Sequence, residues 1–197
     1  MPFFRAEPVT ESLLRGDPKY RRLTLRLPVN VPFIIDNLWE YLRPEHMPCR
    51  RHAVFASPSP ALALASSASA AKGRGLGVYE VVISGAVKIA QLDVQDAKFH
   101  PDIAKIVETL SKRISELAAG QADRQAAEKL FLPGATKDDW SALTSASEVA
   151  AALIAEMSSL STFWRGASGI LSSSDGEVFF ELGETASYSP KNLRCIA

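Results

Sequence analysis

Segments of strand period stand on both sides of a long block of helix period, and this order most constrains what the chain can fold into. Val78-Tyr79-Glu80-Val81-Val82-Ile83 and Lys88-Ile89-Ala90-Gln91-Leu92 read as strands. Ile103, Ile106, Val107, Leu110, Ile114 and Leu117 then recur at spacings of three and four, the stripe of a helix with one buried face. Gln121 to Leu130 continues as a second helix, and a third runs to about Trp164. Glu177-Val178-Phe179-Phe180-Glu181-Leu182 returns to strand. A doubly wound sheet would alternate strand and helix. Here the helices come in one block, so the pattern is α+β with a helical insert over about residues 99–164.

The N-terminal half adds short strands and two further helices. Phe3 to Glu7 is a strand that stops at Pro8, and Thr10 to Leu14 is one helical turn broken by Gly16-Asp17-Pro18. Arg22-Leu23-Thr24-Leu25-Arg26-Leu27-Pro28 alternates polar and apolar residues, which predicts a half-buried strand. Asn30 is the expected cap of a helix from about Val31 to Leu42, with Pro32 in its first turn and Ile34, Ile35, Leu38, Trp39 and Leu42 on its apolar face. The alanine-rich run from Ala61 to Ala71 reads as helix, followed by a Lys72–Gly75 loop. Gly73, Gly75 and Gly77 precede a strand and open no helix, which excludes a dinucleotide fingerprint. Thr136-Lys137-Asp138-Asp139 and Ser145-Ala146-Ser147-Glu148 both look like helix starts, the second as a capping box. Asp175-Gly176 predicts a hairpin turn between Gly169–Ser172 and the strand that follows.

The 197 residues suit a single domain spanning 1–197. No apolar run is long enough for a membrane span, and the Met1-Pro2-Phe3-Phe4-Arg5 start lacks the regions of a secretory signal. The expectation is a cytoplasmic protein, or one delivered into a target cell without a cleaved signal. Two distant cysteines, Cys49 and Cys195, form no disulfide framework. Net charge is zero, which argues against sequence-independent nucleic-acid binding. Residues 1–75 nevertheless carry 11 basic against 6 acidic side chains, and 76–197 carry 11 against 16, which is either chance clustering on solvated faces or an anion-binding N-terminal half.

Candidate chemistry concentrates between Pro48 and Ala63: Cys49, Arg50, Arg51 and His52 enter the apolar Val54-Phe55-Ala56 strand, and Ser57 stands where that strand ends before an alanine-rich helix. His46, Cys49 and His52 are spaced three apart, but two adjacent arginines repel a cation, so no metal site is expected. A Cys49–His52 nucleophilic pair lacks any sign of an oxyanion hole. Arg5 and Arg26 each fall on an expected strand, where an arginine is either an ordinary edge residue or an anion clamp. Glu177 opens the late strand, as an exposed hairpin residue or as a carboxylate facing a developing cation.

Three pieces occur in an order that resembles the ADP-ribosyltransferase superfamily. They are Phe3-Phe4-Arg5, then Val54 to Ala63 with its Phe55-Ala56-Ser57, then Asp175 to Thr185 with Glu177 opening a strand. The resemblance covers about 40 residues and implies a split antiparallel β-sheet cleft that takes NAD as substrate. Glu177 and Ser57 would be catalytic: the glutamate would hold the ribose and stabilise the ribosyl cation, and the serine would shape the nicotinamide site. Arg5 or Arg26, with Arg51, His52 and Phe55, would bind the nucleotide. Asp175 stands where a paired glutamate or glutamine would be, so arginine-directed transfer is not implied. The expected partners are NAD, a protein or nucleic-acid acceptor, and a cognate inhibitor or target, as for a bacterial toxin or effector, with no membrane. Two other readings are an NAD-dependent RNA phosphotransferase relative and a non-catalytic interaction protein.

Overall fold

The computed structural model describes residues 1–67, 75–117, 121–169, 171 and 175–196. The expected end of the alanine-rich helix, residues 72–74 of its following loop, and Ile170 and Ser172 of the expected Gly169–Ser172 strand lie outside these. The chain forms an α+β fold that divides into two compact units, one built from Met1–Thr24, His46–Asp96 and Ala167–Ala197, the other from Leu25–Glu45 and Ala97–Gly166.

The first unit holds the strands. β1 (Phe4–Pro8), β4 (Leu76–Ser84), β7 (Ser187–Ile196) and β2 (Lys19–Tyr20) form one antiparallel sheet in the order β1-β4-β7-β2. β3 (Val54–Ala56), β6 (Val178–Leu182) and β5 (Val87–Gln91) form a second, in the order β3-β6-β5. The expected split sheet is therefore present. The two halves meet at Phe4 and Ser57, whose backbones exchange hydrogen bonds of 2.7 and 2.8 Å.

Period two explains the core between them. Val178, Phe180 and Leu182 on one face of β6 pack with Ala56, Phe3, Tyr79, Val81 and Tyr188. Phe180 makes edge contacts with both Phe3 and Tyr188, at 5.4 and 5.5 Å between ring centroids. On β1, Phe4 and Ala6 face the opposite way and pack with Ala63, Leu64 and Val78, which seats α3 (Pro60–Ser67) on the strand. α1 (Glu11–Arg15) is capped by the Thr10 hydroxyl, which accepts from Leu13 N, and stops at Gly16 with φ of 71°.

The second unit is helical, as the insert predicts, but it also recruits α2 (Phe33–Tyr41) from the N-terminal half. Its other members are α4 (Asp102–Leu117), α5 (Gln121–Leu130), α6 (Lys137–Ala146), α7 (Glu148–Leu160) and α8 (Phe163–Gly166). Ile34, Ile35, Leu38 and Trp39 are buried, as the spacing of α2 requires. The Trp39 ring stacks on Phe163 with centroids 4.0 Å apart. Below that stack the Asp102 carboxylate accepts from Trp39 Nε1 (3.1 Å), Ser161 Oγ (2.7 Å), Thr162 N (3.0 Å), Thr162 Oγ1 (3.0 Å) and Phe163 N (3.2 Å). The first amides of α8 are thus capped by a carboxylate from α4. Burial alone would raise the Asp102 pKa, but the donors, with His100 beside them, outweigh it and hold the carboxyl far below its ordinary range.

Four local expectations are corrected. Arg22–Pro28 is not a strand: the chain leaves the sheet after the two-residue β2, and Leu23 and Val29 are 84% and 87% exposed. Alternation marks a surface that can be buried, but a strand also needs a ladder partner. Asn30 does not cap α2, because Pro32 keeps Val31 out of the helical region and itself occupies the cap position. The capping box is at Thr136 and Asp139, not at Ser145–Glu148. Ser145 stays inside α6, while Ser147 ends that helix and caps α7 by accepting from Ala150 N. Asp175-Gly176 does not join a hairpin: β3 and β5 occupy both edges of β6, and Gly169 and Leu171 lie outside any strand.

Candidate functional site

The face of β6 opposite Val178, Phe180 and Leu182 carries Phe179, itself fully buried, and Glu181, and Glu177 continues the same alternation one residue before the strand. Phe179 is paired in register with Phe55 of β3, and the two rings stack at 6.0 Å. The turn Arg50–His52 leads into β3, and the Arg50 guanidinium lies over both rings, 5.1 Å from the Phe55 centroid and 5.2 Å from that of Phe179. Its Nη1 is 3.4 Å from Glu177 Oε2, and both side chains are largely shielded, 10% and 16% exposed. Glu181, one turn of the pleat further on, accepts from Cys49 N (2.8 Å) and from Arg21 Nη2 (3.4 Å).

The backbone fixes where Glu177 stands. Its N–H donates to Val94 O (2.8 Å) and its carbonyl accepts from Leu92 N (2.9 Å). Gly176 is required just before it, because a Cβ there would sit 1.7 Å from the Leu92 carbonyl oxygen. The turn signal in the sequence is a close approach of two backbones instead.

Arg5 is held inside the sheet unit. Its Nε donates to Tyr79 Oη (3.2 Å), its Nη1 to the Phe55 carbonyl, and its Nη2 lies 3.6 Å from Glu7. Lys19 pairs with Glu7 as well and sits over the Tyr79 and Tyr188 rings. Burial works against the charge of Arg5, but the two tyrosines and Glu7 outweigh it and hold its pKa above the ordinary value. Burial likewise pushes the Tyr79 phenol up, so it stays a neutral donor and acceptor.

Six of the seven residues singled out in the sequence fall in this unit: Arg5, Arg51, His52, Phe55, Ser57 and Glu177. Arg5 donates to the Phe55 carbonyl, and the Phe55 ring and Glu177 both meet Arg50. Ser57 is nearly buried, and its backbone rather than its hydroxyl makes the contact with β1. Arg51 is 3% exposed. His52 lies in the same turn, its N–H donating to Cys49 O and its Nδ1 buried without a hydrogen-bond partner among the described residues. Arg26 belongs to the helical unit, in an irregular stretch rather than on a strand.

Glu181 and Tyr79 were not among the candidates, and Arg50 was noted in the Pro48–Ala63 stretch without a role of its own. The signal for Arg50 was the alternation Glu177-x-Phe179-x-Glu181, which puts two carboxylates and a ring on one shielded face and so calls for cations. Among the described residues no His, Cys, Asp and Glu cluster is arranged to hold a metal ion, and no helix is long and apolar enough to cross a membrane. Comparison with protein-family models, curated proteins and solved structures finds no match.

Proposed function

We propose that this chain cleaves the nicotinamide–ribose bond of NAD and transfers ADP-ribose to a protein or nucleic-acid acceptor. One observation carries the reading. Three segments far apart in sequence, around Arg5, Phe55–Ser57 and Glu177, converge through the Phe4–Ser57 bridge, the Arg5–Phe55 hydrogen bond and the pairing of Ala56 with Val178. A carboxylate at the mouth of β6, pinned by its own backbone and facing a cation–aromatic group, suits a reaction that develops positive charge at the ribose.

In this reading Glu177 accepts a hydrogen bond from a hydroxyl of the nicotinamide ribose and stabilises the oxocarbenium ion as neutral nicotinamide departs. The acceptor then adds to the anomeric carbon and loses its proton. Phe55, half-buried and backed by the fully buried Phe179 ring, supplies a flat apolar surface that excludes water from one side of that carbon. Arg5 and Ser57 act at one remove, by joining the two sheets that carry these groups.

The test is nicotinamide release from NAD by the wild-type protein and by Glu177→Gln, with NAD binding followed in parallel by thermal shift. The expected result is release by the wild type, reduced at least about a hundredfold by the substitution, with binding retained. Release unchanged in Glu177→Gln would remove Glu177 from the chemistry. Neither release nor an NAD-dependent shift, with candidate acceptors present, would sink the reading as a whole.

A further inference from the structure

We propose that the chain forms a two-fold dimer through its helical unit, in which Leu25 and Leu27 of one copy cover the Phe131-Leu132 turn of the other. The proposal goes beyond the NAD reading and rests on none of its residues. Leu25, Leu27, Phe33, Phe131 and Leu132 are large apolar side chains between 38% and 53% exposed, and all belong to that unit. Three relations gather them into one surface. A Cβ at Gly134 would lie 3.4 Å from Leu27 Cδ2 and 3.8 Å from Leu25 Cδ1, which sets both leucines against the turn that follows α5. Asn37 Nδ2 donates to the carbonyls of Leu130 (3.0 Å) and Leu132 (2.8 Å), which ties the same turn to α2. Phe33 stands one helical turn before Asn37 and so shares that face of α2.

The turn is held, not frayed. The Asn37 bonds fix residues 130–132 from behind, and Gly134, at φ of 77°, takes the left-handed backbone that leads the chain on toward α6. Little ordering is therefore left to be done when the surface docks. The five side chains offer about 500 Å² of apolar surface, at the upper end of what a monomer leaves uncovered. With a polar margin they approach the roughly 800 Å² per partner of a stable interface.

The margin fits a second copy of the chain. Glu128, Lys129 and Asp138 are exposed beside the turn, so both signs are present and neither a strongly acidic nor a strongly basic partner is favoured. Symmetry then selects the arrangement. If each half of the patch faced its own counterpart, Lys129 would meet Lys129 and Asp138 would meet Asp138, an opposition of like charges. An axis over Gly134, which has no side chain, crosses the halves instead. The leucines of each copy then meet the turn of the other, and the two contacts are identical.

Sedimentation velocity on the full chain, from about 2 to about 200 µM, reads the equilibrium, because interfaces of this size hold at micromolar concentration or below. Wild type should shift from monomer to dimer across that range or be dimeric throughout. Leu25→Asp and Leu132→Lys, both at exposed positions and checked for folding by circular dichroism, should each weaken the dimer at least about tenfold, since each sets two charges against apolar partners. Mixed together, with one of them fluorescently labelled, the two variants should associate at least about tenfold more tightly than either does alone. One contact of the mixed dimer pairs aspartate with lysine, and the other keeps Leu132 against Leu25. Leu14→Asp, an exposed position on α1 in the sheet unit, should change the dimer less than about twofold.

The proposal is overturned if wild type stays monomeric to about 200 µM, or if it grows past the dimer as a head-to-tail contact would. It is equally overturned if Leu25→Asp (or Leu27→Asp, should the first not fold) dimerises as wild type does, if Leu14→Asp weakens the dimer as much, or if the mixed variants associate no better than either alone.

Discussion

Replacing Asp102 with Asn tests whether the helical unit is held together by a buried charge. The substitution keeps the size of the side chain but removes its charge and turns one oxygen into a donor. That donor must then face Trp39 Nε1, Ser161 Oγ and the Thr162 and Phe163 amides, all within 3.2 Å of the present carboxylate. Breaking one member of a buried, hydrogen-bonded charged group costs about 3–5 kcal/mol. For a chain of this length that corresponds to a fall in melting temperature of roughly 6–20 °C.

The pH dependence separates charge from shape. The folded-state pKa of Asp102 lies below its unfolded value of 3.8, so its stabilisation is fully present above about pH 5 and is lost as pH falls through the unfolded value and below. Urea denaturation of wild type and Asp102→Asn at pH 7, 5 and 3.5 gives the comparison. The gap between the two should be largest at pH 7 and narrow at pH 3.5. A variant within about 1 kcal/mol of wild type at pH 7, or a gap independent of pH, would refute the argument that the carboxylate charge is what those donors hold.

Other positions give narrower tests. Gly176→Ala forces the chain away from Leu92 and should lower stability by about 2–4 kcal/mol in urea denaturation. If Glu177 is catalytic, the same variant should also lose nicotinamide release while remaining folded at low temperature. Trp39→Phe keeps the stack on Phe163 but drops the donor to Asp102, and a loss of about 1–3 kcal/mol is expected by chemical denaturation. Thr136→Ala removes the hydroxyl half of the capping box, with an expected loss of about 1 kcal/mol in urea denaturation.

How far the fold was legible depended on whether a local pattern had a unique partner. The strands at 78–83 and 178–182 follow from periodicity, and so does the helix from Asp102, although its stripe is only partly covered: Ile106 and Leu110 are buried while Val107 is 46% exposed. Arg22–Pro28 carries an equally good strand pattern and forms none, because nothing local reports whether a neighbouring edge is free. The length of β7 is illegible in the sequence for the converse reason. Its polar residues and Pro190 conceal a strand that runs to Ile196, tolerated because one edge lies open beyond the two-residue pairing with β2. Asn192, at φ of 54°, marks the bulge that lets it stay in register with β4.

The candidate site was legible as a set of segments rather than as a set of contacts. Arg5, Phe55 and Glu177 were recognised from residue type and order, and all three lie in one unit. That Arg5 would turn inward and Arg50 toward the carboxylate depends on which way a side chain leaves its strand or turn. A one-residue difference in register decides that, and composition is blind to it.

The junction of the two sheets is written in main-chain atoms. Arg5 addresses the carbonyl of residue 55, and residues 4 and 57 exchange amide bonds, so neither contact reads the side chain at position 55. The Phe55 ring, which the proposed function sets against a ligand, is thereby uncoupled from the seam that holds the scaffold. A tyrosine or tryptophan at this position changes the surface offered to a bound molecule while the strands stay joined, and a saturation library at position 55 should vary in ligand preference far more than in melting temperature. Such a chain can alter what it recognises without first relearning how to fold.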